Sequence, residues 1–235
     1  MHLSKLVPDL RSKQARTDLA SPYQLHATLC WAFRKSEPPA EGQGEERGKT
    51  VEPFLWRLEV GKTPTVLIQS AVRPDWDKLA QRFPNYFQSP PESKLLPLEH
   101  LQSGQVLRFR LKCNPTITTQ AKDGSIGKDG KPKKKRYGLY KLEDLIGEEI
   151  EGVWKPGWLE RQAEKSGFKL MDFMVVQSEK LTLYKHDRSS EITLQAVLYE
   201  GHLRITDLET FKRTLATGLG HAKALGFGLL SIAKG

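Results

Sequence analysis

The chain has 235 residues, 38% apolar and 28% charged, with a formal net charge of +9. That balance is ordinary for a soluble protein with a packed core, and no stretch nears the ~20 consecutive apolar residues of a membrane-spanning helix. Residues 1–8 carry no secretory apolar run, and the two cysteines, Cys30 and Cys113, make neither a disulfide framework nor a CxxC metal pair, so a cytoplasmic protein without a membrane partner is expected.

In chain order, residues 3–7 read as a short strand, followed by a polar turn. An apolar-periodic run over residues 22–33 predicts a helix, with Ser21 as N-cap and Pro22 in the first helical position. Residues 36–53, rich in Pro, Gly and Glu, read as a flexible loop. Alternating residues 54–60 and 65–72, separated by Gly61, Lys62, Thr63 and Pro64, predict a β-hairpin, and residues 75–83 a short helix. The order β-α-β-β-α is that of a ferredoxin-like domain.

The order then repeats. Residues 105–113 form a strand, 114–138 a long loop, 156–166 a helix, and 168–176 and 192–199 strands, with an extra strand at 181–185. A helix over 207–217 with Asp207 near its N-cap and a strand over 227–233 complete the pattern. The expected fold class is therefore α+β, two tandem ferredoxin-like (βαββαβ) domains, 1–100 and 101–235.

The charge is concentrated. Ten Lys and Arg lie between Arg108 and Arg136 against two acids, Asp123 and Asp129, and the remaining residues are nearly neutral. Arg108, Arg110 and Lys112 alternate along the predicted strand; Lys128, Lys131, Lys133, Lys134, Lys135 and Arg136 fill the loop after it. A near-neutral protein with one cationic segment is expected to bind a polyanion there. Such a loop can lie along the phosphate-lined groove of an RNA stem; the bland alternative is a solvated insertion.

On the helix over residues 22–33, at about 100° per residue, Leu25, Leu29 and Ala32 share one stripe. Tyr23 and His26 lie off that stripe, about 60° from each other. They are either an acid–base pair at a cleft or a half-buried polar pair. RNA supplies its own nucleophile, the 2′-OH, so an enzyme acting on it need only align that group and move protons. A histidine suits this because its unperturbed pKa is near ~6.5, and a tyrosine hydroxyl can orient the nucleophile or donate to a phosphate oxygen.

His2, His26, His100, His186, His202 and His221 are scattered without HxxxH or HxH spacing, and no tight acidic cluster stands ready for paired Mg²⁺ ions. No metal or other cofactor is expected. The glycine-rich stretch 218–228 follows a helix and precedes a strand, the reverse of a dinucleotide-binding loop. Its Gly218 and Gly220 either let backbone N–H groups approach a phosphate, with Lys223 adding charge, or simply permit tight packing.

The segments Ala15–His26, Leu107–Pro115 and Gly218–Ile232, with Trp158–Arg161 and Ala196–Gly201, together resemble the CasE-type CRISPR RNA-processing endoribonucleases of the RAMP superfamily. The resemblance runs through almost the whole chain. It implies tandem ferredoxin-like domains and metal-independent cleavage of the repeat hairpin in precursor CRISPR RNA. The implied ends are a 5′-hydroxyl and a 2′,3′-cyclic or 3′-phosphate. It further implies a protein that is monomeric outside the Cascade complex and joins the other Cascade subunits with its product still bound. Within the resemblance the catalytic histidine falls on His26, the assisting tyrosine on Tyr23, the basic hairpin on residues 128–136 and the glycine-rich loop on residues 218–228. Arg34, Lys35 and Ser36 are auxiliary candidates, and His221 stands where many members have proline. Two rivals are a non-catalytic RNA-hairpin-binding scaffold and a nucleotide-binding enzyme using the glycine-rich loop.

Overall fold

The computed structural model describes residues 1–35, 51–121, 123–126, 129–184 and 191–235. The chain divides into two compact units, one of Met1–Leu101 with Lys223–Leu229, the other of Gln102–Ala222 with Leu230–Gly235.

The first unit holds a four-stranded antiparallel sheet of β1 (His2–Leu6), β2 (Phe54–Glu59), β3 (Thr65–Ser70) and β4 (Glu92–Leu95), in the order β2-β3-β1-β4. Its helices are α1 (Lys13–Ala20), α2 (Pro22–Leu29), which continues as a 3-10 turn over Cys30–Phe33, and α3 (Trp76–Arg82). The hairpin predicted from alternation forms with Phe54 opposite Ser70 and Glu59 opposite Thr65. Leu25, Leu29 and Ala32 are buried with Leu6, Trp56, Val66, Ile68 and Leu79, so the helix stripe is the core-facing one.

Helix α1 occupies what reads in the sequence as a polar turn. The Ser12 side chain accepts from the Ala15 N–H and starts it. A buried polar cluster then fixes it in place: the Asp18 carboxylate accepts from the Tyr86 hydroxyl and from Gln14 Nε2, each at 2.8 Å. Gln14 also reaches Thr28 of α2 at 3.4 Å. Ser21 stands at the N-cap position of α2 as expected, but its side chain makes no capping bond; its backbone N–H instead donates to the Asp18 carbonyl and ends α1.

The second unit repeats the topology. Strands β5 (Val106–Cys113), β10 (Phe168–Tyr184), β11 (Glu191–Ile205) and β12 (Leu230–Lys234) form an antiparallel sheet in the order β10-β11-β5-β12, with α5 (Trp158–Lys165) and α6 (Leu208–Thr217) as its helices. In both sheets the first strand lies between the third and the fourth, the ferredoxin-like arrangement. Leu107, Phe109, Leu111 and Cys113 alternate into the core with Phe168, Tyr199, Leu203 and Phe211.

Two expectations need correction. The segments expected as separate strands at 168–176 and 181–185 are one strand, because two register shifts, at Leu170/Asp172 and Val175/Gln177, let β10 follow β11 through irregularities that break strict alternation; Lys185 lies outside the described residues. The long loop 114–138 is not a plain loop. It contains an antiparallel ribbon of β6 (Thr116–Gln120) and β7 (Lys134–Gly138), in which the lysines join a backbone ladder despite their charge. Between β7 and α5 come α4 (Leu142–Ile146) and a small hairpin of β8 (Glu148–Ile150) and β9 (Val153–Lys155).

Candidate active site

Proline at the first position fixes where α2 begins, and the leucine stripe fixes which way it rolls. His26 consequently lies half-buried beside β2, its ring stacked on Phe54 with centroids 5.2 Å apart, and Phe54 in turn stacks on Phe33 at 4.3 Å. His26 Nδ1 is enclosed without a hydrogen-bond partner among the described residues. Nε2 lies 3.7 Å from the Cys30 sulfur, one turn along the helix. Burial disfavours the charged imidazolium and lowers the His26 pKa, which favours the neutral ring near pH 7. The same burial raises the Cys30 thiol, which the Arg34 guanidinium partly offsets.

Tyr23, three residues before His26, is half-buried on the same helix. The 3-10 turn Lys223–Leu225 packs against both α2 and β2. It carries the half-buried Lys223, whose pKa desolvation lowers. Of the auxiliary candidates, Arg34 stacks over the Trp31 indole at 3.6 Å and Lys35 pairs with Glu52 at 2.9 Å; Ser36 lies outside the described residues. The sequence reading missed Cys30 and Phe54. Cys30, at i+4 from His26, was open to discovery by helical spacing; Phe54 arrives from a distant strand and was not.

The glycine-rich stretch has a packing role at several positions. Gly226 has φ +84°, and a Cβ there would stand 2.8 Å from a ring carbon of Trp56. Arg57, 2% exposed, donates to the Leu229 carbonyl at 3.1 Å and to Glu59 at 2.7 Å, tying the same segment to β2. In the second unit Gly218 caps α6 at φ +73°, and Gly220 at φ +75° leaves its would-be Cβ 3.2 Å from the Trp158 ring.

The cationic residues fall into two groups. Lys134, Lys135 and Arg136 stand exposed on β7, with Lys131 and Lys133 exposed just before it; Lys128 lies outside the described residues. Lys135 is held by Asp123 at 2.8 Å, and that contact keeps the Asp123 carboxyl well below the usual carboxylate range. Arg108 and Arg110 belong instead to the open face of the second sheet, where Arg110 pairs with Glu200 at 2.9 Å.

Residues 1–234 match the model of a family described as CRISPR-associated protein. The CRISPR-associated endoribonuclease Cse3 of Thermus thermophilus is 34% identical, over 99% of this chain and 100% of that protein. The CRISPR system Cascade subunit CasE of Escherichia coli is 29% identical, over 99% of each chain. A solved structure of Thermus thermophilus Cse3, bound to an RNA representing a pre-cleavage complex, superposes with a TM-score of 0.70 at 35% identity, covering 99% of this chain and 98% of that one. The chain belongs to the CRISPR-associated protein family, as a protein of the Cse3 and CasE type.

Proposed function

We propose that this protein is an endoribonuclease that cleaves the repeat hairpin of precursor CRISPR RNA without a metal ion, and that His26 moves the proton. The observation that carries this reading is the state of His26: a half-buried imidazole on an ordered helix, its Nδ1 enclosed and its pKa lowered by burial. A neutral ring at physiological pH can accept a proton, and Nε2 is the nitrogen left to do so. The 2′-OH gives its proton to Nε2 as its oxygen attacks phosphorus. The bond from phosphorus to the 5′ oxygen breaks, and the leaving oxygen takes up a proton. The products are a 2′,3′-cyclic phosphate and a 5′-hydroxyl. RNA carries the nucleophile, so the reaction needs alignment and charge rather than a metal-bound hydroxide.

Tyr23 is the group on the same helix that orients the 2′-OH or donates to a phosphate oxygen. Lys223 offers positive charge from the turn packed on α2. The ribbon residues Lys131, Lys133, Lys134, Lys135 and Arg136, with Lys128, hold the hairpin through its phosphates. The backbone at Gly218 and Gly220 lies on the same glycine-rich path. The CasE relative is described as a Cascade subunit; by that likeness the protein keeps its cleaved hairpin and joins the other Cascade subunits. Its cysteines are both free, in keeping with a reducing cytoplasm.

The test is cleavage of a repeat hairpin in EDTA by the wild type and by His26→Ala. Wild-type cleavage is expected to persist, and the variant to bind normally but lose roughly 10²–10⁴ in rate. Loss of wild-type cleavage on chelation overturns metal independence. Equal rates for the two proteins remove His26 from the mechanism and favour a site elsewhere.

A further inference from the structure

The open face of the second sheet carries a built constellation that the hairpin reaction does not use. The ladder aligns Asp172, His202, Arg108 and Ala233 in one row across β10, β11, β5 and β12. The next row is Met174, Glu200, Arg110 and Ser231. These residues line a concavity of about 720 Å³.

Within it the acids are already committed. Asp172 receives His202 Nδ1 on both oxygens, at 2.9 and 3.0 Å, and the His202 backbone N–H at 3.1 Å. Glu200 is held by Arg110 at 2.9 Å. Asp172 therefore sets the ring orientation of His202 and leaves Nε2 as the nitrogen available to a ligand. Arg108, directly opposite His202, has no carboxylate partner among the described residues. Met174 beside them is 63% exposed and Met171 48% exposed.

We propose that this concavity seats a phosphate of single-stranded RNA lying outside the hairpin, held by the Arg108 guanidinium and by His202 Nε2–H in the imidazolium form, which donates from both ring nitrogens. The guanidinium fork matches phosphate oxygens. The exposed thioether of Met174 gives the adjoining base an apolar, polarisable surface, so the seat offers what one nucleotide needs. The occupant is single-stranded because the hollow spans four strands, roughly 14 Å at the usual strand spacing. A flexible strand can bend into it and splay a base, whereas a stem presents a rigid convex surface. The proposal rests on the RNA-processing reading above, and it separates the grip on the flanking strand from the grip on the stem.

The experiment compares binding of the repeat hairpin alone with binding of the same hairpin carrying single-stranded tails. It uses wild type, Arg108→Gln and His202→Ala across a series of salt concentrations. The tails are expected to tighten wild-type binding. Arg108→Gln should lose that gain and flatten the salt dependence for tailed RNA by about 0.7 in log–log slope, the value for one single-strand phosphate. His202→Ala should lose at least part of the gain. Both variants should bind the bare hairpin as wild type does, which also reports that they are folded. The proposal is overturned if tails add nothing to wild-type binding, or if the variants weaken both RNAs equally. A wild type that binds neither RNA refutes the RNA-processing reading itself.

Discussion

His26 Nε2 lies 3.7 Å from the Cys30 sulfur, so the nitrogen proposed to take the proton faces a neighbour one helical turn away. Because burial alone depresses the His26 pKa, single-turnover cleavage should rise with pH to a midpoint below the unperturbed ~6.5 and then level off. Cys30→Ala opens space beside the ring, admits water and should move that midpoint upward. An unchanged midpoint in Cys30→Ala would show that the sulfur does not shield the imidazole. The linked stability effect has a definite sign. The folded pKa lies below the unfolded one, so the contribution is present above about pH 6.5 and is lost as pH falls through the folded value.

The buried Asp18 makes a prediction of opposite sign. Its pKa is raised by burial, against the pull of Tyr86, Thr28 and Gln14. Stability from this group is complete below the unfolded pKa and is lost as pH rises through the folded one, where the charged form depends on its donors. Tyr86→Phe removes the donor at 2.8 Å and should cost about 1–3 kcal/mol. The loss should be larger at pH 8 than at pH 5 in urea titrations. Equal losses at the two pH values would mean that Asp18 keeps one protonation state between them.

Gly226→Ala combines a left-handed backbone with a clash against the Trp56 ring. A side chain at such φ costs about 1–2 kcal/mol and overpacking about 1–3 kcal/mol, so a loss of about 2–5 kcal/mol is expected. Gly61→Ala, with nothing within 4 Å of the added carbon, is the neutral control. Similar melting temperatures for the two variants would refute the packing role.

On the basic ribbon, Asp123 holds Lys135 at 2.8 Å, so in the proposed hairpin complex it would compete with RNA phosphates for that lysine. Asp123→Asn should tighten hairpin binding by about two- to fivefold, in line with the small worth of exposed ion pairs. Adding Lys135→Ala should cancel the gain. If Asp123→Asn tightens binding just as much in the Lys135→Ala background, the effect is general charge and not release of that lysine.

Much of the fold was legible in the sequence because it is written in local periodicity. The Leu25, Leu29 and Ala32 stripe and the alternation of residues 54–59 and 65–70 each give a core face directly. What escaped was written elsewhere. Strand β4 is exposed along its whole length, so no apolar alternation marks it. Helix α1 is short and polar, held by a buried carboxylate whose partner Tyr86 is 68 residues away. The ribbon β6–β7 sets Thr118, Thr119 and Gln120 opposite Arg136, Lys135 and Lys134, a composition that reads as loop. At the site, His26 and Tyr23 stood out by spacing, whereas stacking of His26 on Phe54 depends on how β2 meets α2. Asp172 and His202 are likewise neighbours only through pairing of strands 30 residues apart.

The seven residues Lys223–Leu229 complete the first unit from beyond the long Gln102–Ala222 stretch of the second. During synthesis, Trp56 and Arg57 therefore wait for Gly226 and Leu229 while Gln102–Ala222 is translated. Helix α2 meets the turn Lys223–Leu225 only after that stretch has been made. A fragment cut after Leu101 lacks these contacts permanently and is expected to be less stable than the same unit in the intact chain.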